Sequence, residues 1–265
     1  MKYQKLLAAK HLSLDTFEKL FSESIAMYEG IYIENSERVR LVAALAYEPG
    51  KHLVDVGSHV NVYPVVLAKL GMKVTVVDTF PETTLPGQEK QALKIRHALN
   101  VVYPQAGIDV MNLDAYDMKL PKSCADICSA FETFEHLWQS PKPVFQKMVE
   151  AIRPGGKLII ALPNIARLSS RIKAIMGRSV LPEFPDYYEN GYPFYGHRRE
   201  MTVGEVRWMF KHENLTLEQL FTTDIIVPTV AYSSALSALY HETVKRVPMP
   251  FATLREGIYA VGRKS

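Results

Sequence analysis

An α/β fold is predicted for this 265-residue chain by three observations. Residues 52–78 read as a buried strand, a tight turn, a helix and a second strand, one βαβ unit of a nucleotide-binding sheet. The second strand ends in an acid, Asp78, at the carboxyl edge where such sheets hold their ligands. Further apolar runs at 108–111, 125–130, 158–162, 215–223 and 257–262 are separated by helical stretches. At 48% hydrophobic residues, a chain of this length can bury a full α/β core.

Each element has a local reason. Phe17, Leu20, Phe21, Ile25 and Tyr28 recur at helical spacing as an amphipathic stripe. A second helix from about Ser36 carries Val39, Val42 and Leu45 until Pro49-Gly50 stops it, which makes residues 1–48 an N-terminal helical cap. Leu53, Val54 and Val56 form the first strand, interrupted by Asp55 and stopped by Gly57. The helix over 62–70 ends at Gly71 as a C′ residue would, and Val74, Val76 and Val77 form the second strand. Strands follow at 108–111 and 125–130, then a helix at 141–152. Arg153-Pro154-Gly155-Gly156 reads as a helix stop followed by positive-φ glycines that reverse the chain into strand 158–162. The core unit thus covers 49–164.

Residues 165–200 are too long for an ordinary connection and read as a substrate lid inserted after the fifth strand. A basic helix at 167–176 gives way at Gly177 to a stretch rich in Pro and Tyr, including Tyr187, Tyr188, Tyr192 and Tyr195. Thr202-Val203-Gly204-Glu205 opens the next helix as a capping box, with Val206, Met209 and Phe210 inward. Residues 201–265 then complete the core with strand 215–223, a helix at 233–247 and strand 257–262.

The charge balance, 31 Lys and Arg against 28 Asp and Glu, is too even to argue for nucleic acid or an anionic membrane. Cys124 and Cys128 fall on one face of one expected strand, too far apart to bridge. Two buried thiols fit a reducing compartment. No apolar run approaches a membrane span and the first residues do not read as a signal peptide, so the expectation is a cytoplasmic protein without membrane insertion.

The loop after the first strand narrows the ligand class. Asp78 is placed to accept hydrogen bonds from both hydroxyls of a ribose, which points to an adenosine-containing cofactor. A dinucleotide pyrophosphate requires Gly-x-Gly-x-x-Gly so that backbone amides approach its charge. Residues 57–62 are Gly-Ser-His-Val-Asn-Val, without the second and third glycines. S-adenosylmethionine (SAM) has no phosphate and tolerates a looser loop.

On these residues the chain resembles class I SAM-dependent methyltransferases, whose first motif is Asp-x-Gly-x-Gly-x-Gly. Asp55, Gly57 and Asp78 match, while His59 and Asn61 depart from it. The family's Glu-His-Leu segment after strand four is matched by Glu135-His136-Leu137, and its Arg/Lys-Pro-Gly-Gly turn by residues 153–156. The likeness is good over 36–164 and looser over 200–265. It implies a Rossmann-like seven-stranded sheet whose last strand inserts antiparallel between strands five and six. For the cofactor it implies Asp55, Gly57, Ser58 and His59 in the loop and Asp78 and Thr79 at the ribose. Asp114 with Ala115 would serve the adenine, and Phe131 and Glu132 follow strand four. Gly196-His197-x-Arg199 is similar to a segment of many small-molecule methyltransferases.

Methyl transfer from a sulfonium asks the protein for alignment and for removal of a proton from the acceptor. Histidine suits the second task, and His136 and His197 are the candidate bases, with His59 shaping the methionine end of the loop. Either candidate is equally readable as a structural histidine; as the base His197 is favoured, because the Tyr-rich lid leads directly into it. No clustered ligands appear at metal-binding spacing, so no metal is expected. Tyr28 and Tyr32 from the cap, and Tyr188, Tyr192 and Tyr195 from the lid, are candidate substrate contacts. The segment after strand four is Phe131-Glu132-Thr133-Phe134, unlike the Asn/Asp-Pro-Pro-Tyr/Phe turn of DNA-base methyltransferases. The Gly57-Ser58 loop, with Pro64 and the strand from Gly71 to Asp78, resembles methyltransferases of glycan and natural-product assembly, which implies a hydroxyl of a small polar or glycosylated metabolite as the expected acceptor. Alternatives are N-methylation of a small molecule, a non-catalytic SAM-binding protein, and, against the missing glycines, a nicotinamide oxidoreductase. The apolar stretch 227–251 reads equally as a substrate wall or a homodimer contact.

Overall fold

Strand β1 (His52–Val56) forms because Leu53, Val54 and Val56 are fully apolar, and it lies inside a parallel sheet with all four residues from Leu53 to Val56 buried. β1 pairs along its whole length with β2 (Lys73–Asp78), with Leu53 opposite Val74 and Val56 opposite Val77. β3 (Asp109–Asn112) pairs with β2 so that Asp78 lies opposite Asn112. On the other side β4 (Ala125–Phe131), buried at every residue, sets Ser129 opposite Asp55. β5 (Ile152–Pro163), β6 (Leu215–Thr223) and β7 (Gly257–Lys264) complete a seven-stranded sheet in the order β3-β2-β1-β4-β5-β7-β6, the last strand antiparallel as expected. This computed structural model describes residues 2–81, 89–189, 196–224 and 252–265, apart from the side chains of Asp186 and Ala252. The expected helix at 233–247 and the apolar stretch 227–251 lie outside the described residues.

The chain divides into two compact units. The first takes residues up to Phe131 together with Lys142–Ile159 and Lys264. It includes the helices α1 (Lys2–Ala9), α2 (Leu14–Ala26) and α3 (Glu37–Ala46). Tyr3, Phe17 and Phe21 stack their rings in its core, with centroids 6.2 and 5.8 Å apart. Lys10 Nζ donates to the carbonyls of Ala44, Leu45 and Tyr47 at 2.7–2.8 Å. A cation at these end carbonyls satisfies groups with no partner inside the helix. α4 (Tyr63–Lys69) follows β1 with Pro64 in its first turn, and α5 (Glu89–His97) leads through a π turn (Ala98–Val102) into α6 (Tyr103–Gln105).

The turn before β5 departs from the expectation. α7 (Lys142–Ala151) runs directly into β5, and Arg153-Pro154-Gly155-Gly156 lies within the strand. Gly155 has φ +77°, but Gly156 does not share the positive φ. Gly156 is required for space: a Cβ there would sit 2.4 Å from Ile152 Cγ2 and 2.6 Å from the Asp126 carbonyl oxygen. Cys124 also departs, because it precedes β4 and is only half-buried, whereas Cys128 is buried within it.

The second unit holds Glu132–Pro141 and Ile160–Arg263. Its helices are α8 (Leu168–Ile175), α9 (Phe184–Glu189) and α10 (Val203–His212). The Thr202–Glu205 capping box is present in full, each side chain bonded to the other's backbone. Gly262 is needed because a Cβ would stand 2.4 Å from the Phe210 ring. α9 turns part of the expected irregular lid into a short helix that leaves Phe184, Tyr187 and Tyr188 exposed. No helix among the described residues is long and apolar enough to cross a membrane.

Candidate functional site

In the first unit the loop from Gly57 to Val62 lies at the carboxyl ends of β1 and β2. Gly57 takes φ +71° and donates its amide to the Val77 carbonyl at 2.8 Å. His59 takes φ +43°, the left-handed backbone that glycine adopts without cost. The turn shape therefore survives the loss of the second glycine, because neighbouring bonds hold it. Asp78 Oδ2 accepts the His59 amide at 2.8 Å, Asp78 Oδ1 accepts the Phe80 amide at 2.9 Å, and Tyr103 donates its hydroxyl to the His59 carbonyl at 3.1 Å. Tyr28, fully buried, donates to the Asn61 carbonyl at 3.1 Å. Asn61 Oδ1 in turn accepts the Val62 amide at 2.8 Å. That amide heads the helix that would otherwise face a phosphate, so this loop suits a ligand without one.

Beneath the loop, Asp55 is fully buried. It accepts from Ser129 Oγ at 2.5 Å and from the Tyr63 hydroxyl. Burial pushes its pKa up to about 6, against the lowering pull of these hydroxyl donors and with a further rise from nearby Asp78. Burial, and then Asp55, push the Tyr63 hydroxyl well above its ordinary range. Ser58 Oγ is buried, close enough to lower the pKa of both Asp55 and Tyr63, yet in no well-formed hydrogen bond. Desolvation lowers the His59 pKa, opposed by Asp78 and reinforced by Lys94, although part of its surface reaches solvent.

The cofactor residues read from sequence thus fall into two sets. Gly57, Ser58, His59, Asp78 and the exposed Thr79 come together at the loop, while Asp55 lies below it as its support. Asp114, half-buried past β3, accepts the Tyr116 amide at 2.8 Å and holds Ala115 in a tight turn. Phe131 packs edge-on against Tyr63, centroids 5.5 Å apart. Tyr28 is an anchor of the loop, and Tyr32 is exposed. Sequence reasoning missed Tyr63, Tyr103 and Ser129, whose only signal was a polar group inside otherwise apolar elements.

The second unit gathers the two candidate bases. His136 ends a 3₁₀ turn (Phe134–His136), and His197 meets it edge-on with ring centroids 4.8 Å apart. The Arg198 amide donates to the Glu135 carbonyl at 2.7 Å and clamps the two segments together. His197 Nδ1 lies 2.9 Å from Glu200 Oε1, and Arg167 pairs with Glu200 and, at 3.1 Å, with Glu256. Burial alone would raise the Glu200 pKa, but the bonds from His197 and Arg167 hold it below the usual range. Glu132 has φ +53° and donates its amide to the Ala161 carbonyl at 2.8 Å. Tyr188 is exposed on α9, and Tyr192 and Tyr195 lie outside the described residues.

Residues 54–160 match the family model described as a methyltransferase domain. On that match the segment is similar to the class I methyltransferase domain, a family whose methyl donor is S-adenosylmethionine. It is 28% identical over 134 residues to the ubiquinone biosynthesis O-methyltransferase of Coxiella burnetii. That match covers 51% of this chain and 53% of the relative, so the chain spans about half the length of the curated relatives it matches. Among solved structures, the S-adenosylmethionine-dependent methyltransferase of Mesorhizobium loti aligns with 85% of this chain and 98% of its own, at TM-score 0.56 and 15% identity. The PH0226 protein of Pyrococcus horikoshii aligns with 86% and 89%, at TM-score 0.53 and 14% identity. At those identities the likeness is one of fold. The residues of the loop fit such a donor. The left-handed turn is kept, Ser58 Oγ is available, and each Asp78 oxygen accepts one amide while retaining a second lone pair.

Proposed function

We propose that the protein is a cytoplasmic methyltransferase that methylates a hydroxyl of a small polar or glycosylated metabolite. The reading is carried by the cluster of Glu135, His136 and His197, because an oxygen acceptor must surrender a proton whereas a neutral amine need not. The O-methyltransferase similar to residues of this domain supports the same atom type. Two free cysteines suit a reducing compartment.

In this reading Asp78 receives the ribose hydroxyls of the donor on its free lone pairs while its other lone pairs hold the loop. Asp114 and Ala115 take the adenine edge, and Ser58 supplies a hydroxyl at the floor of the loop. When bound, S-adenosylmethionine supplies an electrophilic methyl group on a sulfonium. Asp55, Tyr63 and Tyr103 do not react; they fix the loop so that the donor is aligned, which is the larger part of this catalysis. Tyr187 and Tyr188 provide aromatic surface for the acceptor.

The test is incubation of the purified protein with S-adenosylmethionine and metabolite pools. Release of S-adenosylhomocysteine and added methyl mass on a hydroxyl are the expected results. Methylation confined to amines overturns the acceptor assignment, and donor binding without turnover on any acceptor overturns the enzyme itself.

A further inference from the structure

We propose that Glu135, His136 and His197 form a binding site for a divalent first-row transition-metal ion. One ligand atom from each lies within 4.8 Å of the others. Two imidazoles and a carboxylate are a donor set for zinc, manganese, iron or cobalt rather than for magnesium or calcium, which favour all-oxygen shells. Three protein ligands on one side also leave positions open for water or an acceptor oxygen.

The scaffold around the three donors is built for ligation. Glu135 is fully buried, so its carboxylate has few conformations to lose on binding. His136 is exposed at the end of a 3₁₀ turn, with its ring edge-on to that of His197 at 4.8 Å between centroids. The segment bearing His197 is clamped to that turn by the Arg198 amide on the Glu135 carbonyl at 2.7 Å. His197 Nδ1 faces Glu200 Oε1 at 2.9 Å, which sets the tautomer with a proton on Nδ1 and a lone pair on Nε2. A carboxylate behind a histidine is the usual outer support of a metal-bound imidazole. Glu200 is itself held by Arg167, so the support does not swing away. Donors around a tetrahedral ion with bonds of about 2.1 Å stand about 3.4 Å apart, so the atoms need close by no more than about 1.4 Å.

The sequence offered no hint of this because the ligands are separated by 61 positions and join only through the fold. The proposal rests on the same three residues as the acceptor assignment, and its readout, metal binding and not turnover, keeps the failure of one distinguishable from the failure of the other.

The experiment uses the full chain without added histidines, stripped with chelator and titrated with Co²⁺ and with Zn²⁺. One equivalent of Co²⁺ should bind and give ligand-field absorption bands, which Zn²⁺ displaces. His136→Asn, at an exposed position where folding is retained, and His197→Ala should each weaken binding more than about 100-fold. Glu200→Gln removes no ligand and should weaken it about 10- to 100-fold. A wild-type protein that takes up neither ion stoichiometrically, or binding that survives both histidine variants, overturns the site. Unchanged affinity in Glu200→Gln overturns the positioning role of that residue.

Discussion

Replacing Asp78 by alanine removes two kinds of bond at once. Its carboxylate accepts the His59 amide at 2.8 Å and the Phe80 amide at 2.9 Å, and these hold the left-handed turn at His59. Its remaining lone pairs are assigned to the ribose hydroxyls of the donor. Hydrogen bonds to a charged group contribute about 1.5–3 kcal/mol, so donor affinity should fall about 10- to 150-fold in Asp78→Ala. Asp78→Asn keeps one acceptor oxygen but sets an NH₂ group against the other side, and should lose less. Isothermal titration with S-adenosylhomocysteine measures the affinity, and thermal melting of the unliganded variants reports the loop bonds separately. Both melting temperatures should fall, the alanine variant further. A dissociation constant unchanged in Asp78→Ala would refute the ribose assignment, whatever happens to the melting temperature.

Other expectations follow from the same geometry. Asp55 keeps its proton longer in the folded chain, with a pKa raised to about 6 from 3.8, so the native state binds more protons between those values and stability falls as pH rises through that window. The fall is about 3 kcal/mol at about 1.4 kcal/mol per pKa unit, and Asp55→Asn should flatten it in denaturation curves taken at pH 4 and 6.5. Gly156→Ala drives a methyl group against the Asp126 carbonyl and should cost about 1–3 kcal/mol in urea unfolding, with a matching drop in melting temperature. Tyr187→Ala with Tyr188→Ala, both exposed on α9, should raise the acceptor KM while leaving donor affinity unchanged. Loss of donor affinity there would show that the segment does not serve the acceptor.

The positions of the strands along the chain and the ligand class could be read from the amino acids because both depend on local chemistry, whereas the order of the strands in the sheet came from the family resemblance. Apolar runs such as 53–56 and 74–77 bury themselves as strands whatever surrounds them, and an acid at the end of β2 is placed by that strand alone. The loop was legible only in part. The missing glycines were visible, but not that His59 would take the glycine backbone anyway, since the bonds enforcing it come from Asp78 and Tyr103, distant in sequence. Position in the sequence favoured His197 over His136, because the Tyr-rich lid leads into it, whereas the structure sets the two rings against each other beside buried Glu135. What sequence determined were the elements, whose burial follows from nearby residues. What tertiary structure decided were the convergent polar groups, because a hydrogen bond or a ligand geometry is fixed to tenths of an ångström by segments that meet only when the chain folds.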